Sequence, residues 1–420
     1  MCGIAGFVND MPIDVKCPVL QRMTDMIAHR GPDSEGHYID EHAALGHRRL
    51  SIIDLGGGQQ PIYNEDGSKV ITFNGEIYNY QTLREELIAA GHTFTTKSDT
   101  EVLLHGYEQW GVDLLQRVRG MFTFVIWDKN KQELFGARDH FGIKPFYYAK
   151  MNGTFMYASE IKSLLRHPDF VKELNAEALK PYMTFQYPAI GETFFKGVYK
   201  LPEGHYFTYR DGKMDIHRYY DEDFREGKQK LGELVNSIDQ TVCDSVKAHQ
   251  IADVEVGSFL SSGVDSSYVA AVARPQHTYS IGFGKGTYNE SQQAGELAEL
   301  LKLNNTAESL TDEEAFAAFP RIQWHLDEPD SNPSCVPLYF LSALAAKDVK
   351  VVLSGEGADE LFAGYIDYGV HTKFKPIKVV TRWLTHLPAG ARKAIARFCK
   401  GKTFPGAWHL YANLAPAEES

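Results

Sequence analysis

The spacing of apolar residues changes once along the chain, across residues 211–230, and no other feature limits the fold so strongly. Before that stretch the pattern is one of short alternating runs and turns. MFTFVIWDKNKQELFGARD predicts a hairpin, two β-rich runs around a polar turn at 128–131, and FYYAKMNGTFMYAS predicts a second around Asn152 and Gly153. Two helices interrupt the strands. NYQTLREELIAAGH puts Leu83, Leu87 and Ile88 on one face and stops at Gly91; TEVLLHGYEQWG groups Leu103, Tyr107 and Trp110 and stops at Gly111. This half reads as α+β.

The stretch YYDEDFREGKQKLGE has the charge and glycine content of a linker. Beyond it strand and helix alternate. VEVGSFLSS reads as a buried strand, DSSYVAAVA as a helix, HTYSIGF as a strand, and NESQQAGELAELLKL as a helix opened by Asn289 with Gln292 three residues on. TDEEAFAAFPRIQWHL begins with Thr311 and Glu314 in capping-box spacing, and Pro320 is expected to end or kink it. SCVPLYFLSALAAKD and VKVVLSGE supply one more helix and strand. Such alternation predicts an α/β, doubly wound parallel sheet that binds ligands beyond the C-terminal ends of its strands. The expected organisation is a first domain at 2–210, a linker at 211–230 and a second domain at 231–420.

Length agrees with that division, because 420 residues exceed what one core ordinarily organises. The longest nearly apolar run, 336–346, is interrupted by Ser342 and falls well short of the roughly 20 residues of a spanning helix, so no membrane is expected. The N-terminus lacks the basic start and apolar stretch of a secretory signal, which points to the cytoplasm. Five scattered cysteines, without metal-type pairing, suit a reducing compartment and indicate no structural zinc site. A net charge of −12 argues against nucleic acid as partner. Nine Lys or Arg and no acid between 371 and 402 read as a solvated helical face.

The chemistry starts at MCGIAGF. If Met1 is removed, Cys2 carries its thiol and an α-amine on one carbon, nucleophile and base in a single residue. A second-position cysteine alone is most often incidental. Its company is HRGPDSEG with Arg30, Gly31 and Asp33, LGHRRLSIIDL with Arg49, TFNGEIYNY with Asn74, Gly75 and Glu76, and KSDTEVLL with Asp99. Each has a plainer reading: Asn74-Gly75 as a tight turn, Arg49 as a surface charge. Together they offer what acyl transfer on an amino-acid amide needs. Arg49 can grip an α-carboxylate, Asp99 an α-ammonium, and the Asn74 amide with the Gly75 N–H can form an oxyanion hole.

MCGIAGF, HRGPDSEG, RLSIIDL, FNGEIYNY and SDTE resemble, in order, the N-terminal-nucleophile glutaminase domain of class II glutamine amidotransferases, a four-layer αββα sandwich. The resemblance covers roughly residues 2–190. It implies that Cys2 attacks the glutamine side-chain amide and releases ammonia, with Arg49, Leu50, Ser51, Ile52, Ile53, Asn74, Gly75, Glu76 and Asp99 around glutamine.

In the second half FLSSGVDSSYVAA is a strand, a Ser/Gly turn and a helix N-terminus, an anion site by virtue of exposed N–H groups and the helix dipole. It lacks the G-x-x-x-x-G-K-[ST] pattern of a Walker A loop. It resembles the pyrophosphate loop of enzymes that split ATP into AMP and pyrophosphate, with Ser262 where the first glycine of Ser-Gly-Gly-x-Asp-Ser usually stands. VVLSGEGADELFAGY adds Glu356, Asp359 and Glu360, otherwise readable as acids complementing a helix dipole. Glutaminase, pyrophosphate loop, SGEGADE and LDEPDSNPSCVPLY together resemble the glutamine-dependent asparagine synthetase family. That resemblance implies ATP held by Leu260, Ser261, Ser262, Gly263, Asp265, Ser266, Ile281, Ser354 and Gly355, Mg²⁺ on Asp265 and Asp359, and proton transfer by Glu356. It further implies activation of aspartate as an acyl-adenylate, a dry passage for ammonia, and small-molecule partners, with a homodimer left open. Some relatives amidate other carboxylates, such as those of cell-wall peptide precursors. The family's Tyr-Leu-x-Lys-x-Asp-Arg and Ser-x-Glu-x-Arg-x-Pro-Phe segments are not found before the terminal NLAPAEES, so the second domain is expected to be incomplete, without a catalytic lysine.

Overall fold

A computed structural model describes residues 1–223, 227–283, 290–365, 384 and 386–399. Asn289, residues 224–226 of the expected linker, much of the basic stretch at 371–402 and the terminal NLAPAEES lie outside the described residues. The chain forms two compact units, Met1–Ser354 and Gly355–Ser420.

Up to Arg218 the strands are β1 (Gly3–Val8), β2 (Ser34–Ile39), β3 (Ala43–Arg49), β4 (Ile62–Tyr63), β5 (Lys69–Ile77), β6 (Gly120–Asp128), β7 (Glu133–Arg138), β8 (Tyr147–Met151), β9 (Thr154–Ala158), β10 (Val198–Lys200), β11 (His205–Arg210) and β12 (Lys213–Arg218). The helices are α1 (Ile13–Asp25), α2 (Tyr80–Ala89), α3 (Asp99–Trp110), α4 (Ile161–Leu164) and α5 (Leu179–Phe185). Two six-stranded sheets result, ordered β10-β8-β9-β1-β3-β2 and β12-β11-β7-β6-β5-β4. Period-two alternation assigns their faces. Ile4 joins Leu45, Val125, Trp127, Phe155 and Phe207 in the core between the sheets, while its neighbour Ala5 joins Phe7, Leu20 and Met23 beneath α1. Phe73, Phe122 and Phe124 of the second sheet meet Leu83, Leu87, Leu103 and Tyr107 of α2 and α3. The layers are therefore αββα.

Both expected hairpins form. Asp128 pairs with Glu133 across the first, and Asn152 and Gly153 turn the second with φ of 49° and 83°. Two expectations need correction. Ile88 is exposed, because five residues beyond Leu83 it lies about 140° around the helix from it. The linker expected from 211 opens instead with β12, which pairs along all of β11 and carries the second sheet to Arg218.

After α6 (Leu231–His249) the alternation is β13 (Val256–Phe259), α7 (Val264–Ala273), β14 (His277–Phe283), α8 (Glu290–Leu301), β15 (Asn304–Leu310), α9 (Asp312–Leu326), α10 (Cys335–Ala345) and β16 (Val351–Leu353). The four strands form a parallel sheet, β15-β14-β13-β16. Ala294 and Ala298 of α8 pack with Leu260 and Ala270, and Leu344 and Ala345 of α10 pack with Tyr279, which makes the sheet doubly wound. β15 escaped sequence reading because NNTAESL is polar, as an exposed edge strand can be. Thr311 and Glu314 form the expected capping box, but α9 runs through Pro320 and ends where Asp327 takes φ 63°. In the second unit, α11 (Ala358–Phe362) follows Gly357, and α12 (Ala389–Cys399) lies in the basic stretch. No helix among the described residues is long and apolar enough to cross a membrane.

Candidate active site

Cys2 immediately precedes β1, the strand flanked by β9 and β3 in the first sheet. Gly3 pairs with Arg48, so the thiol arrives beside the end of β3, where the Leu50 N–H points at Sγ from 3.4 Å and Leu50 O lies 3.6 Å away. Burial pushes the thiol pKa up, against the lowering effects of the Leu50 hydrogen bond and the N-terminal ammonium. The Met1 amine is driven down to about 5 by burial, with Arg30 and Lys144 adding to the shift.

The Arg30-Gly31-Pro32-Asp33 turn closes one side. A Cβ on Gly31 would stand 2.2 Å from the Arg48 carbonyl carbon, so only glycine lets the turn lie against β3. Arg30 Nε then donates to Cys2 O at 3.0 Å, and its Nη1 to Glu160 at 3.0 Å. Burial disfavours the charge on Glu160, but His29, Arg30 and Lys162 outweigh it and hold the carboxyl at about 2. Asp33 accepts the Ser51 N–H at 2.8 Å and Lys350 Nζ at 2.6 Å, and Lys350 keeps it below the usual carboxylate range.

Arg49 is buried, and its Nη2 donates to Ile53 O at 3.1 Å and Asp54 O at 2.7 Å, which fixes the fork within the loop that carries Leu50, Ser51, Ile52 and Ile53. Asn74 and Gly75 lie within β5, paired with Thr123 and Phe122, which removes the tight-turn reading. A Cβ on Gly75 would meet Met121 O at 2.2 Å. Asn74 is wholly buried, yet neither its Nδ2 nor its Oδ1 has a hydrogen-bond partner. An unpaired buried polar group costs about 1–3 kcal/mol, so this amide is kept for something that binds.

Asp99 opens α3 behind the N-cap Ser98 and accepts the Ile77 N–H at 2.9 Å. Burial pushes its carboxyl up to about 6 despite that bond. Glu76 is also driven well up, by burial and then by the charge of Asp99. A buried carboxyl beside a half-buried one that its charge raises suits a site that receives a cation. Sequence reading missed Lys144, which is buried and brought down to about 8 by burial and Arg30, with Nζ 2.6 Å from Met1 Sδ. No local pattern marks it.

Leu260, Ser261, Ser262, Gly263, Asp265 and Ser266 of the second group of expected residues lie on the β13–α7 turn and the start of α7. Leu260 extends the strand by donating to Tyr279 O at 2.8 Å. Ser261 and Ser266 hydroxyls meet at 2.8 Å, Ser261 N donates to Ser266 Oγ at 3.1 Å, and Gly263 N donates to Ser261 Oγ at 3.1 Å. Ser262 is exposed and has no positive φ, so a side chain stands there without backbone strain. Asp265 sits in the first turn of α7, half-buried, and Ile281 lies on the adjacent β14. Ser354 follows β16 and ends the first unit. Gly355, Glu356 and Asp359 belong to the second unit, where Asp359 occupies the first turn of α11 behind Gly357 at φ 89°.

Residues 1–220 match the model of the glutamine amidotransferase domain, and residues 237–416 match that of asparagine synthase. Glutamine-hydrolysing asparagine synthetase 1 of Bacillus subtilis is 43% identical over 403 residues, 94% of this chain and 62% of its own length. Two provisionally named glutamine-hydrolysing asparagine synthetases also match. That of Mycobacterium tuberculosis is 37% identical over 437 residues, 96% of this chain and 66% of its own, and that of Methanocaldococcus jannaschii 34% over 397 residues, 88% and 76%. The chain thus spans 62% of the length of the Bacillus relative. With an αββα glutaminase sandwich ahead of a parallel-sheet synthase region, and relatives of one name matching across both, the chain belongs to the glutamine-dependent asparagine synthetase family.

Proposed function

We propose that this chain takes part in the ATP-dependent amidation of aspartate to asparagine, with ammonia drawn from glutamine. The observation that carries the glutaminase half is the unpartnered Asn74 amide, buried on β5 two residues before Glu76, whose charge acts on the Cys2 thiol. Attack by Cys2 Sγ on the glutamine amide carbon places negative charge on its oxygen, and Asn74 Nδ2 with the Gly75 N–H would receive it. Arg49 would hold the α-carboxylate, while Asp99 and Glu76 would neutralise the α-ammonium. Departure of ammonia leaves a thioester on Cys2, which water hydrolyses to glutamate.

The synthetase half rests on the Ser/Gly turn at the start of α7. The aspartate side-chain carboxylate attacks the α-phosphorus of ATP, pyrophosphate leaves, and ammonia displaces AMP from the resulting acyl-adenylate. Ser261, Ser262, Gly263 and Ser266 offer hydroxyl and N–H donors where a departing pyrophosphate needs them. Asp265 has no side-chain partner among the described residues, and an unengaged carboxylate beside a phosphate site fits Mg²⁺. Bound there, Mg²⁺ supplies positive charge to the phosphate oxygens as the P–O bond breaks.

Release of glutamate from glutamine is the expected result, with little asparagine from this chain if the expected lysine is indeed needed; glutamate, AMP and pyrophosphate in equal amounts with aspartate present would show the second half-reaction running as well. Cys2→Ala should abolish glutamate release and Asp265→Asn pyrophosphate release, each leaving the other half-reaction in place when ammonia is supplied. Pyrophosphate release with a cell-wall peptide carboxylate in place of aspartate would move the reading to that acceptor. Loss of both half-reactions in either variant, in a folded protein, would overturn the division of labour.

A further inference from the structure

Away from Cys2, four side chains from three stretches converge beside α3. Glu65 follows β4, His92 follows α2, and His105 and Glu108 lie on α3; one ligand atom of each falls within 4.8 Å of all the others. His105 Nδ1 lies 3.2 Å from Glu108 Oε2 and 3.4 Å from Glu65 Oε2, and His92 Nδ1 lies 3.4 Å from Glu65 Oε1. Around a tetrahedral ion with bonds of about 2.0–2.1 Å, neighbouring ligand atoms stand roughly 3.3–3.4 Å apart. His105 Nδ1 stands at about that separation from Glu108 Oε2 and Glu65 Oε2, and His92 Nδ1 from the other Glu65 oxygen, so small side-chain rotations would bring one atom of each residue around a single ion.

The outer ring of contacts carries the argument further. His92 Nε2 faces Gln109 Oε1 at 3.3 Å, whereas His105 Nε2 makes no hydrogen bond and has the Glu101 carboxylate as an ion-pair neighbour at 3.5 Å. Asn64 Nδ2 donates to Glu108 Oε1 at 2.7 Å, and the Thr93 N–H donates to Glu65 Oε1 at 3.0 Å. An imidazole that donates outward through Nε2 turns the lone pair of Nδ1 inward. The His92 lone pair so directed and the carboxylates of Glu65 and Glu108 then confront one another around His105, and only a cation or an added proton on an imidazole reconciles them. Two neutral imidazoles and two carboxylates bring a charge of −2, equal and opposite to that of a divalent ion. Glu65 is exposed, which leaves a way in from solvent, whereas His105 is fully buried.

We propose that Glu65, His92, His105 and Glu108 bind a divalent transition-metal ion of the zinc type, outside the glutaminase site. The ion would join the turn after β4, the segment after α2 and the middle of α3. Glu101 already grips that segment through the N–H and hydroxyl groups of Thr95 and Thr96, and Asp99 follows it within three residues. The metal would act as a positioning device for Asp99 and not as a catalyst.

The test is titration of the chelator-treated full chain, as the Cys2→Ala, Cys17→Ala double variant to remove the active-site thiol and the exposed one, with Co²⁺ and then Zn²⁺. One equivalent of Co²⁺ should give the visible d–d absorption of a four-coordinate N/O site, and Zn²⁺ should abolish it. His92→Ala and Glu65→Gln, both at the outer side of the cluster, should weaken binding at least tenfold, and Gln109→Ala by about 10–100-fold through loss of ring orientation. His105→Ala is avoided because that ring is buried. Absence of the band, a band unchanged in His92→Ala and Glu65→Gln, or a thiolate charge-transfer band would each overturn the assignment in favour of an ion-pair cluster closed by a proton.

Discussion

The Asp253 carboxylate accepts the backbone N–H of Asp54 at 2.7 Å, while the Asp253 N–H donates to Ile52 O at 2.9 Å. This two-point contact joins residues 199 apart in sequence, one in the loop that holds Arg49 and the other just before β13. Because Asp54 O and Ile53 O are what orient the Arg49 guanidinium, the parallel-sheet region supports from behind the fork proposed to hold a glutamine carboxylate. Lys350, just before β16, reaches the same loop through Asp33 and Ser51.

Asp253→Ala should therefore raise KM for glutamine roughly fivefold with kcat little changed, the effect of about 1 kcal/mol from one lost hydrogen bond. Asp253→Asn keeps an oxygen acceptor and should restore most of the loss. Steady-state glutaminase kinetics of the two variants decide it: a fall in kcat without a change in KM would place the contact elsewhere in the reaction.

Asn74→Ala should lower kcat of glutamine hydrolysis by about 10²–10³. Its melting temperature should hardly move, because the amide has no hydrogen-bond partner to lose. A residue that merely bridged β5 and β6 would behave in the opposite way, with a large thermal loss and a modest kinetic one. Thermal unfolding and single-turnover rates measured on one preparation separate the two.

How much of this could be read from sequence depends on whether the signal is local. β6, β7, β8 and β9 declared themselves through alternation and the Asn152-Gly153 turn, and the Cys2, Arg49, Asn74 and Asp99 stretches through short motifs in order. Asp253, Lys350 and Lys144 carry no such mark, since their meaning lies in partners 199, 317 and 143 residues away. β15 was lost for the converse reason: an edge strand with an exposed face need not look apolar. Glu65 and His92 likewise carry no local mark until their turns bring them to His105 and Glu108 on α3.

Glutamine affinity should depend on pH through Asp99. Its carboxyl is raised from 3.8 to about 6 in the folded chain, so the neutral form is favoured by the fold, and the associated stability is present below pH 3.8 and lost as pH rises through about 6. An α-ammonium requires the ionised form. The affinity of the Cys2→Ala variant for glutamine, measured by calorimetry, should thus improve with pH up to about 6 and level off above it. Asp99→Asn should lose that dependence together with most of the affinity, and should melt higher than the parent at pH 7 though not at pH 4. A parent that outlasted Asp99→Asn at pH 7 would mean that the carboxylate is paired in the empty site after all.

The last prediction concerns Met1. While it remains, the nitrogen of Cys2 is an amide, whose lone pair is delocalised and cannot take a proton from the thiol. Burial raises the thiol pKa further, so little thiolate forms unaided at neutral pH. Removal of Met1 turns that nitrogen into an α-amine beside the thiol, and desolvation of the kind that brings the Met1 amine down to about 5 would favour its neutral, proton-accepting form. It also takes away Met1 Sδ, beside which Lys144 Nζ lies at 2.6 Å. Intact mass should show glutaminase-active protein beginning at Cys2. A chain whose Met1 is retained by an added residue should bind glutamine but release less than a hundredth of the glutamate, in line with the about 10²–10⁴ that a positioned base contributes. Lys144→Met, which preserves length without charge, should leave Met1 removal unaffected; full activity in the Met1-retaining chain would transfer the role of base from the α-amine to another group at the site.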